Sequence, residues 1–372
     1  MFCKCLEKGE KMSDQIYGKL AKVLDTLPSG FPATESGIEI RILKKIFQPA
    51  EAELFCDLRL ALETPEQIAK RTGRPLEGLE AMLTTMWERG QIFGVKLGNV
   101  KLFRMYPWVF GIYEFQLPHM NRELAEMCEE YQATWWRKFA ETKLPFMQVI
   151  PIEKEIPIKH EALPYERVSS IIENGKSFLL NECICKKEKQ LLGHPCTKPL
   201  EVCLAIAPVP GIFDKSPTGR VISKAEAYEV LRQAEEAALV HMTSNYQSGH
   251  FFICNCCGCC CGPLQGMNKL GIPASRATNS YYIARIDPDK CVACGTCADE
   301  RCQVKAIKEA AGSYEVIKDR CIGCGLCVTG CPSQAVTLVR KEPEDITMPP
   351  KDESAWYEEK DRQRGVDFSP YK

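Results

Sequence analysis

The sequence predicts an α+β protein built from several domains. Its 372 residues are enough for two or three domains with their own cores. Eighteen of the 22 cysteines fall between Cys183 and Cys331, so the chain divides into a cysteine-poor half and a cysteine-dense half. Helical periodicity fills much of the first half, and short strand-like segments flank the cysteines near the C-terminus.

Composition and charge exclude several classes of protein. The net charge of −1 argues against a whole-protein nucleic-acid footprint, and no apolar run is long enough for a transmembrane helix. The first residues, MFCKCLEKGEKM, contain no apolar core of a signal peptide, so we expect a cytoplasmic protein. Disulfides are rare in that reducing compartment, and the abundant thiols therefore predict metal binding.

Shifts in composition along the chain predict seven segments. Prolines 145, 151, 157 and 164 mark a linker or edge segment between the two halves, because closely spaced prolines exclude a long helix. The segments are an N-terminal extension and helix (1–35), a helical domain with a hairpin (36–118), an aromatic-rich connecting helix (119–144), a Pro-rich linker (145–165), a cysteine-rich α/β domain (166–280), a repeat domain (281–340) and a flexible tail (341–372).

An internal repeat dominates the C-terminal region. A CxxCxxC motif at 291–297 recurs at 321–327, and Cys302 and Cys331 follow the first and second copies. Such a loop wraps three thiolates around one 4Fe–4S cube, and the fourth ligand comes from the other repeat. Zinc is the less favoured alternative, because it prefers separated CxxC pairs to interlocked triads. The predicted ligands are Cys291, Cys294, Cys297 and Cys331 for one cluster, and Cys321, Cys324, Cys327 and Cys302 for the other.

This repeat resembles the bacterial two-cluster 4Fe–4S ferredoxin family over about residues 281–340. Residues 281–286 and 314–317 read as the short flanking strands of that ferredoxin-like fold. The first repeat departs from the family pattern: four residues separate Cys297 from Cys302, and Gln303 replaces the usual proline. The resemblance implies two 4Fe–4S clusters and electron transport, and the departure predicts an altered environment for the cluster that uses Cys302.

A second block of cysteines precedes the repeat. Six thiols stand within the eight residues 254–261, where disulfides between immediate neighbours would be strained, so we expect this block to bind metal. A capping box at Ser223 and Glu226 begins a helix that we expect to bring the two parts of the block together. Ten thiols leave open one cluster with spare ligands, two 4Fe–4S clusters or a larger cluster, with zinc or free thiols as alternatives. The candidate ligands are Cys183, Cys185, Cys196, Cys203, Cys254, Cys256, Cys257, Cys259, Cys260 and Cys261.

The succession of NECxC, a helix, CNCCxCCC and the repeat resembles multi-cluster ferredoxin-type proteins of anaerobic bacteria and archaea. This resemblance implies a third cluster region and names no substrate. The sequence has no glycine-rich nucleotide loop and no Cys-x3-Cys-x2-Cys triad, so nucleotide, flavin and radical S-adenosylmethionine chemistry have no support.

Residues 36–117 resemble a winged helix domain. Helices are predicted over about 39–47, 50–62, from Pro65 to a break at Gly73 and from Pro75 to Gly90, followed by a hairpin that turns at Gly98 and Asn99. The helix in the DNA-recognition position carries Glu77, Glu80 and Glu88. Residues 38–118 contain 11 basic and 10 acidic side chains, so protein docking is favoured over DNA binding.

The remaining candidate residues favour structural roles. Cys56 and Cys128 are expected to be buried thiols, and Cys3 and Cys5 are not expected to bind metal. Asn121 caps a helix whose apolar stripe favours a core position. The five histidines are scattered, and His194, beside Cys196, is interpreted as a loop residue; we therefore predict no catalytic residues.

Three functional hypotheses follow from these patterns. The first is an electron-transfer protein, or electron-transfer subunit of an anaerobic oxidoreductase system, with two ferredoxin clusters and one or two further iron–sulfur clusters. Its redox partner would dock on the winged-helix-like domain. The second is an iron–sulfur redox sensor that regulates transcription. The third is a reductase with an open catalytic site on a cluster held by the second block of cysteines.

Overall fold

The computed structural model describes residues 2–152 and 167–372, with side chains from residue 14 onward. The chain forms two compact units, one of residues 1–139 and 360–372 and the other of residues 140–359. Within the described residues, no helix is long and apolar enough to cross a bilayer. The side chains of Cys3 and Cys5 lie outside the described part.

The first unit is mainly helical and contains one hairpin. An irregular turn, Trp108–Ile112, follows the hairpin. The helices are α1 (Phe2–Thr26), α2 (Ile38–Ile46), α3 (Pro49–Phe55), α4 (Pro65–Thr72), α5 (Leu79–Glu88), α6 (Tyr113–Phe115) and α7 (Arg122–Phe139), and the strands are β1 (Phe93–Leu97) and β2 (Val100–Arg104).

Local sequence signals account for most of these boundaries. The side-chain oxygen of Thr64 accepts a hydrogen bond from the Gln67 amide at the start of α4, and Gly73 ends that helix at φ 71°. Leu97 pairs with Val100 across the two-residue turn of the hairpin, where Gly98 takes φ 60°. Two helices differ from the expectation: α3 ends at Phe55, and α5 begins only at Leu79.

Helix α5 starts late because Gly78 adopts a left-handed conformation. Its φ of 77° interrupts helical geometry between Pro75 and Leu79, so the proline opens a turn rather than the helix.

The apolar stripe of α7 is buried, as the sequence predicts. Its members are Leu124, Cys128, Tyr131, Trp135 and Phe139.

The second unit is built on a seven-stranded sheet. Its spatial order is β6-β4-β5-β8-β7-β3-β9, antiparallel except for the last pair. The strands are β3 (Met147–Val149), β4 (Ser177–Glu182), β5 (Glu201–Ala207), β6 (Arg220–Ile222), β7 (Val240–Ser244), β8 (Phe252–Cys256) and β9 (Thr278–Asn279). The helices around it are α8 (Val168–Asn174), α9 (Ile184–Leu191), α10 (Lys224–Glu236), α11 (Gly262–Lys269) and α12 (Ala274–Ala277).

Part of the expected linker belongs to this sheet. Strand β3 lies between β7 and β9, and the residues from 146 to 152 are all buried. Pro145 and Pro151 stand just outside the strand, so their missing N–H groups do not interrupt its hydrogen bonds. Residues 153–166, which complete the expected linker, lie outside the described residues.

Two small antiparallel ribbons and a short helix form the repeat region. Strand β10 (Tyr282–Ile286) pairs with β13 (Val336–Arg340), and β11 (Ile307–Ala310) pairs with β12 (Ser313–Val316). Helix α13 (Leu326–Thr329) lies within the second repeat. One apolar cluster joins the strands to cysteines from both repeats. Each repeat therefore contributes to a shared core.

The C-terminal segment differs from the expected flexible tail. It forms helix α14 (Glu353–Arg364), which begins in the second unit and ends in the first. Trp356 packs its ring 5.2 Å from that of Phe146. The Lys360 ammonium lies 3.4 Å from the centre of the Phe139 ring. One aromatic contact and one cation–π contact thus hold a segment whose charged composition resembles that of a tail.

Candidate metal centres

The structure places the predicted cysteines of the repeat around two cavities. Cys291, Cys294, Cys297 and Cys331 line one cavity together with Tyr314 and Val336. Cys302, Cys321, Cys324 and Cys327 line the other together with Ile307 and Ile322. Each cavity thus combines three cysteines of one repeat with the fourth cysteine of the other.

Backbone conformation explains how each CxxCxxC loop curls around its cavity. Ala293 and Gly295 take φ values of 52° and 79°, and Gly323 and Gly325, at the matching positions, take 59° and 81°. Left-handed residues at both places reverse the chain between successive cysteines, so three thiols face one side. The two loops are therefore structural as well as sequence repeats.

Backbone amides point at several of these sulfurs. The Ala306 amide donates to the Cys302 Sγ at 3.1 Å, and the Ala335 amide donates to the Cys331 Sγ at 3.2 Å. The Ala284 amide lies 3.5 Å from the Cys321 Sγ. Amide donors stabilise thiolates and raise the reduction potentials of iron–sulfur clusters, so this donor set fits two cubes held by cysteine thiolates.

The two thiol quartets, meaning the four cysteines of each cavity, differ in pKa. Burial raises the pKa of Cys297 to about 11 and that of Cys324 to about 12. A hydrogen bond from the Ser313 hydroxyl, aided by the Ala293 amide, lowers the pKa of Cys291 instead. Metal binding requires thiolates, so buried thiols of this kind release protons when they bind metal.

The quartets also differ in exposure. Val292, in the first loop, is 65% exposed, whereas burial leaves Ile322 at the matching position of the second loop 2% exposed. Cys294 is exposed as well. The loop of the first quartet therefore reaches solvent, whereas the cysteines of the second quartet are half-buried or buried.

The extra residue of the first repeat is absorbed as a wide helical turn. Residues Cys297–Arg301 form a single π-type turn, whereas the matching segment of the second repeat is the ordinary helix α13. A π turn accommodates one inserted residue without breaking the chain's course, and such turns recur at functional sites. Gln303 follows this turn and lines the cavity of the second quartet.

Gln303 contacts the cysteine-rich segment at residues 254–261. This segment belongs to the block of ten cysteines that precedes the repeat, which we call the middle block. The Gly258 amide donates to the Gln303 Oε1 at 3.0 Å, and the Asn268 Nδ2 donates to the Gln303 carbonyl at 2.9 Å. Arg301 adds hydrogen bonds of 3.0 Å to the carbonyls of Glu235 and Glu236 at the end of α10. We call these contacts the Gln303 junction. It joins the loop after Cys302 to the loop containing Cys257 and Cys259.

The ten thiols of the middle block fall into two sets. We call the first set the compact quartet: Cys196, Cys257, Cys259 and Cys260. We call the second set the strand thiols: Cys183, Cys185, Cys203, Cys254, Cys256 and Cys261.

Sheet geometry explains the strand thiols. Cys254 and Cys256 share one face of β8 because side chains alternate along a strand, and Asn255 points to the other face. The pairing of Leu204 with Ile253 brings Cys203 beside Cys254. The Cys254 thiol hydrogen-bonds those of Cys203 and Cys256, and Cys256 in turn reaches Cys261. A continuous chain of thiols therefore runs across the two central strands, β5 and β8, to Cys261.

Hydrogen bonding and burial separate the pKa values of these thiols. The hydrogen bond from Cys185 lowers the pKa of Cys183 to about 7, and the same contact with burial raises that of Cys185. In the compact quartet, the hydrogen bond from Cys260 lowers the pKa of Cys257 to about 5, and nearby Lys186 contributes. Cys257 and Cys183 are thus the thiols most ready to ionise.

The structure adds positioning residues that the sequence analysis missed. Lys186 is only 2% exposed, and its Nζ donates to the Pro199 carbonyl at 2.6 Å, which fixes the loop that carries Cys196. Gln265 donates to the Cys259 carbonyl at 2.8 Å. The only sequence signal for either residue is its position on the helix beside the cysteines. His194 is exposed, in agreement with its interpretation as a loop residue.

Cys56 and Cys128 are buried thiols of the first unit, as expected. Burial raises the pKa of Cys56 to about 11, which makes that thiol unreactive. Both cysteines lie in the apolar core of their unit, and neither belongs to a group of metal-binding side chains within the described residues.

Comparison with known proteins identifies one domain. Residues 284–338 match the family model of the 4Fe–4S dicluster domain, a match that contains all eight cysteines of the two cavities. A search of curated proteins gives no match to the chain. The protein therefore is a mixed α+β protein that contains a ferredoxin-type iron–sulfur domain near its C-terminus.

Proposed function

We propose that the protein is an electron carrier that passes single electrons between a redox partner and metal centres in its middle block. The match of residues 284–338 to the 4Fe–4S dicluster domain carries this proposal. The ligands are Cys291, Cys294, Cys297 and Cys331 for the outer cluster, and Cys302, Cys321, Cys324 and Cys327 for the inner cluster. Each cube supplies a one-electron couple, whose potential lies within about −700 to +450 mV.

The difference in exposure between the two quartets indicates the order in which electrons pass through the two clusters. The outer quartet faces solvent through Val292 and Cys294, so a redox partner can approach it. The inner quartet has no exposed cysteine, and the Gln303 junction connects its Cys302 loop to the middle block. We therefore propose a route from the partner through the outer cluster and then the inner cluster to the middle block.

A third iron–sulfur cluster on the strand thiols completes the proposal. Six thiols exceed the four that one cube needs. No three of them lie within 4.8 Å of one another in the described part of the chain, a spread that suits a polynuclear cluster better than a single ion. The buried pair Glu188 and Lys189 lies on α9 next to Cys185 and adds charges to this environment.

We propose that the first unit docks a protein partner rather than DNA. Its helices and hairpin have the order expected of a winged helix domain. The basic side chains around the recognition position already pair with carboxylates, which phosphate would have to displace. These ion pairs are Arg71–Glu63 at 2.5 Å, Arg74–Asp57 at 2.5 Å, Arg89–Glu51 at 2.6 Å and Lys101–Glu80 at 2.9 Å.

Stopped-flow reduction of the anaerobic holoprotein by dithionite tests the electron-carrier proposal. In Val292→Glu, a negative charge at the outer cluster is expected to slow reduction by this anionic reductant several-fold, with the difference shrinking at high salt. Val221→Glu is the matched control, because Val221 is 50% exposed on β6, a strand of the middle block. Equal rates in both variants, or clusters that accept no electron reversibly, would contradict the proposal.

A further inference from the structure

The compact quartet has the dimensions of a single-ion site. Its sulfurs all lie within 4.8 Å of one another. The Cys259 Sγ is 3.3 Å from that of Cys257, 3.5 Å from that of Cys196 and 3.7 Å from that of Cys260. The Cys196 and Cys257 sulfurs are 3.8 Å apart. In a tetrahedral site with metal–sulfur bonds of about 2.3 Å, neighbouring sulfurs lie about 3.8 Å apart.

The alternatives to a single ion fit these distances less well. A disulfide would bring two sulfurs to about 2 Å, much closer than any of these contacts. In a 4Fe–4S cube each thiolate binds a different corner, so the inorganic core holds the four sulfurs well apart. The cysteines of the two dicluster cavities show that wider arrangement: within the described residues, neither of their quartets forms a group as compact as this one.

The surrounding chain holds the compact quartet in place. Cys257, Cys259 and Cys260 lie on one tight loop, in which the Cys261 amide donates to the Cys257 carbonyl at 3.1 Å. Gln265 fixes this loop from α11, and Lys186 fixes the segment that supplies Cys196. The charge of Lys186 acts on Cys257 and offsets part of the negative charge of four thiolates. Two separate segments thus converge on one point with a buried cation beside it.

We propose that Cys196, Cys257, Cys259 and Cys260 bind one divalent transition-metal ion, Zn²⁺ or Fe²⁺, in a tetrahedral tetrathiolate site. Both ions favour four sulfur ligands in this geometry. Binding releases the remaining thiol protons to solvent and needs no electron transfer. The site cross-links the loop after β8 to the loop after α9, beside the Gln303 junction. The proposal is independent of electron transfer, since it concerns metal content alone.

The ratio of metal to sulfide tests this site directly. A 4Fe–4S cube contains equal numbers of iron and acid-labile sulfide, so every cube cancels in the difference. We expect total iron plus zinc in the anaerobically purified full chain to exceed sulfide by about one per chain. Elemental analysis separates the two ions, and a high-spin ferric EPR signal after oxidation identifies iron. Equal amounts of metal and sulfide in the wild-type protein would overturn the proposal, whatever the variants do.

Two exposed cysteines provide matched variants. Cys259→Ser is expected to remove the excess metal ion and leave sulfide unchanged. Cys294→Ser, at the outer cluster, is expected to change only the iron and sulfide of that cluster and to leave the ion of the compact quartet in place, as its zinc content or its high-spin ferric EPR signal reports. A loss of about four sulfides in Cys259→Ser would show a cube at this site and overturn the proposal. Retention of the excess metal in that variant would overturn it as well.

Discussion

Substitution of Gly258 by alanine tests the Gln303 junction. A methyl group on Gly258 would lie 2.1 Å from the Gln303 carbonyl oxygen and 2.9 Å from the Asn268 Nδ2. The nearest atom belongs to the backbone, so the loop after Cys302 must move by more than 1 Å to restore ordinary contact. The substitution leaves every cysteine in place, and its effect comes from the separation of the two loops.

The expected cost follows from the contacts that this movement breaks. Overpacking of this kind costs about 1–3 kcal/mol, and each of the two hydrogen bonds to Gln303 contributes about 0.5–1.5 kcal/mol. A loss of about 3 kcal/mol lowers the Tm by about 6–12 °C in a unit of this size. Electron transfer from the inner cluster to the middle block should slow, while reduction of the outer cluster should not change.

Anaerobic calorimetry and flash reduction of the holoprotein measure the two effects of the Gly258→Ala change. Gly18→Ala is the control, because among the described residues a methyl group on Gly18 of α1 meets no atom within 4 Å beyond its chain neighbours and its own helix backbone. The control should keep or slightly raise the Tm, since alanine favours helix by about 0.5–1 kcal/mol. A Gly258→Ala protein with the wild-type Tm and wild-type transfer rate would refute the junction.

Two further changes test stability and pH dependence. Trp356→Ala should destabilise the protein by about 3–5 kcal/mol, because it removes a buried ring and its contact with Phe146. Thermal unfolding measures this loss of stability. A wild-type Tm would mean that the C-terminal segment is a flexible tail. Burial lowers the pKa of His250 to about 4, below its value of about 6.5 in the unfolded chain. The unfolded state therefore takes up a proton first, and stability falls as the pH drops from 6.5 toward 4. His250→Gln should remove about 2 kcal/mol of this pH dependence in Tm measurements between pH 7 and 5, and parallel pH profiles of the two proteins would contradict the assignment.

The repeat region was predictable because its signals are local. The spacing of Cys291, Cys294 and Cys297 fixes a loop geometry, and its recurrence 30 residues later predicts two related loops. Alignment of the two repeats also shows the extra residue before Cys302. Its structural form, a π turn that directs Gln303 to Gly258, depends on a contact 45 residues away along the chain. Sequence spacing contains no information about that contact.

The division of the middle cysteines was not predictable from their order. Cys256 and Cys257 are neighbours in sequence, yet the first belongs to the strand thiols and the second to the compact quartet. The end of strand β8 at Cys256 separates them, and the register between β5 and β8 decides which cysteine faces Cys203. Register depends on the whole sheet, so the sequence alone left one large or several small sites open.

Differences at helix and strand ends have similar causes. The left-handed conformation of Gly78 delays α5, although Pro75 is a suitable first residue of a helix. The short strand β3 lies inside the sheet although its flanking prolines are typical of a linker. In each case tertiary packing selects between two locally acceptable structures.

An EPR-monitored redox titration of the anaerobic holoprotein tests the central claim most directly. Two 4Fe–4S clusters that share one domain should give two reversible one-electron couples, with signals that broaden each other when both clusters are reduced. Potentials between about −700 and +450 mV are expected, and the two couples should remain in the Gly258→Ala variant, since it keeps all eight ligands. A protein with no reducible cluster, or with a single isolated signal at full reduction, would contradict the account of an electron carrier built on a dicluster domain.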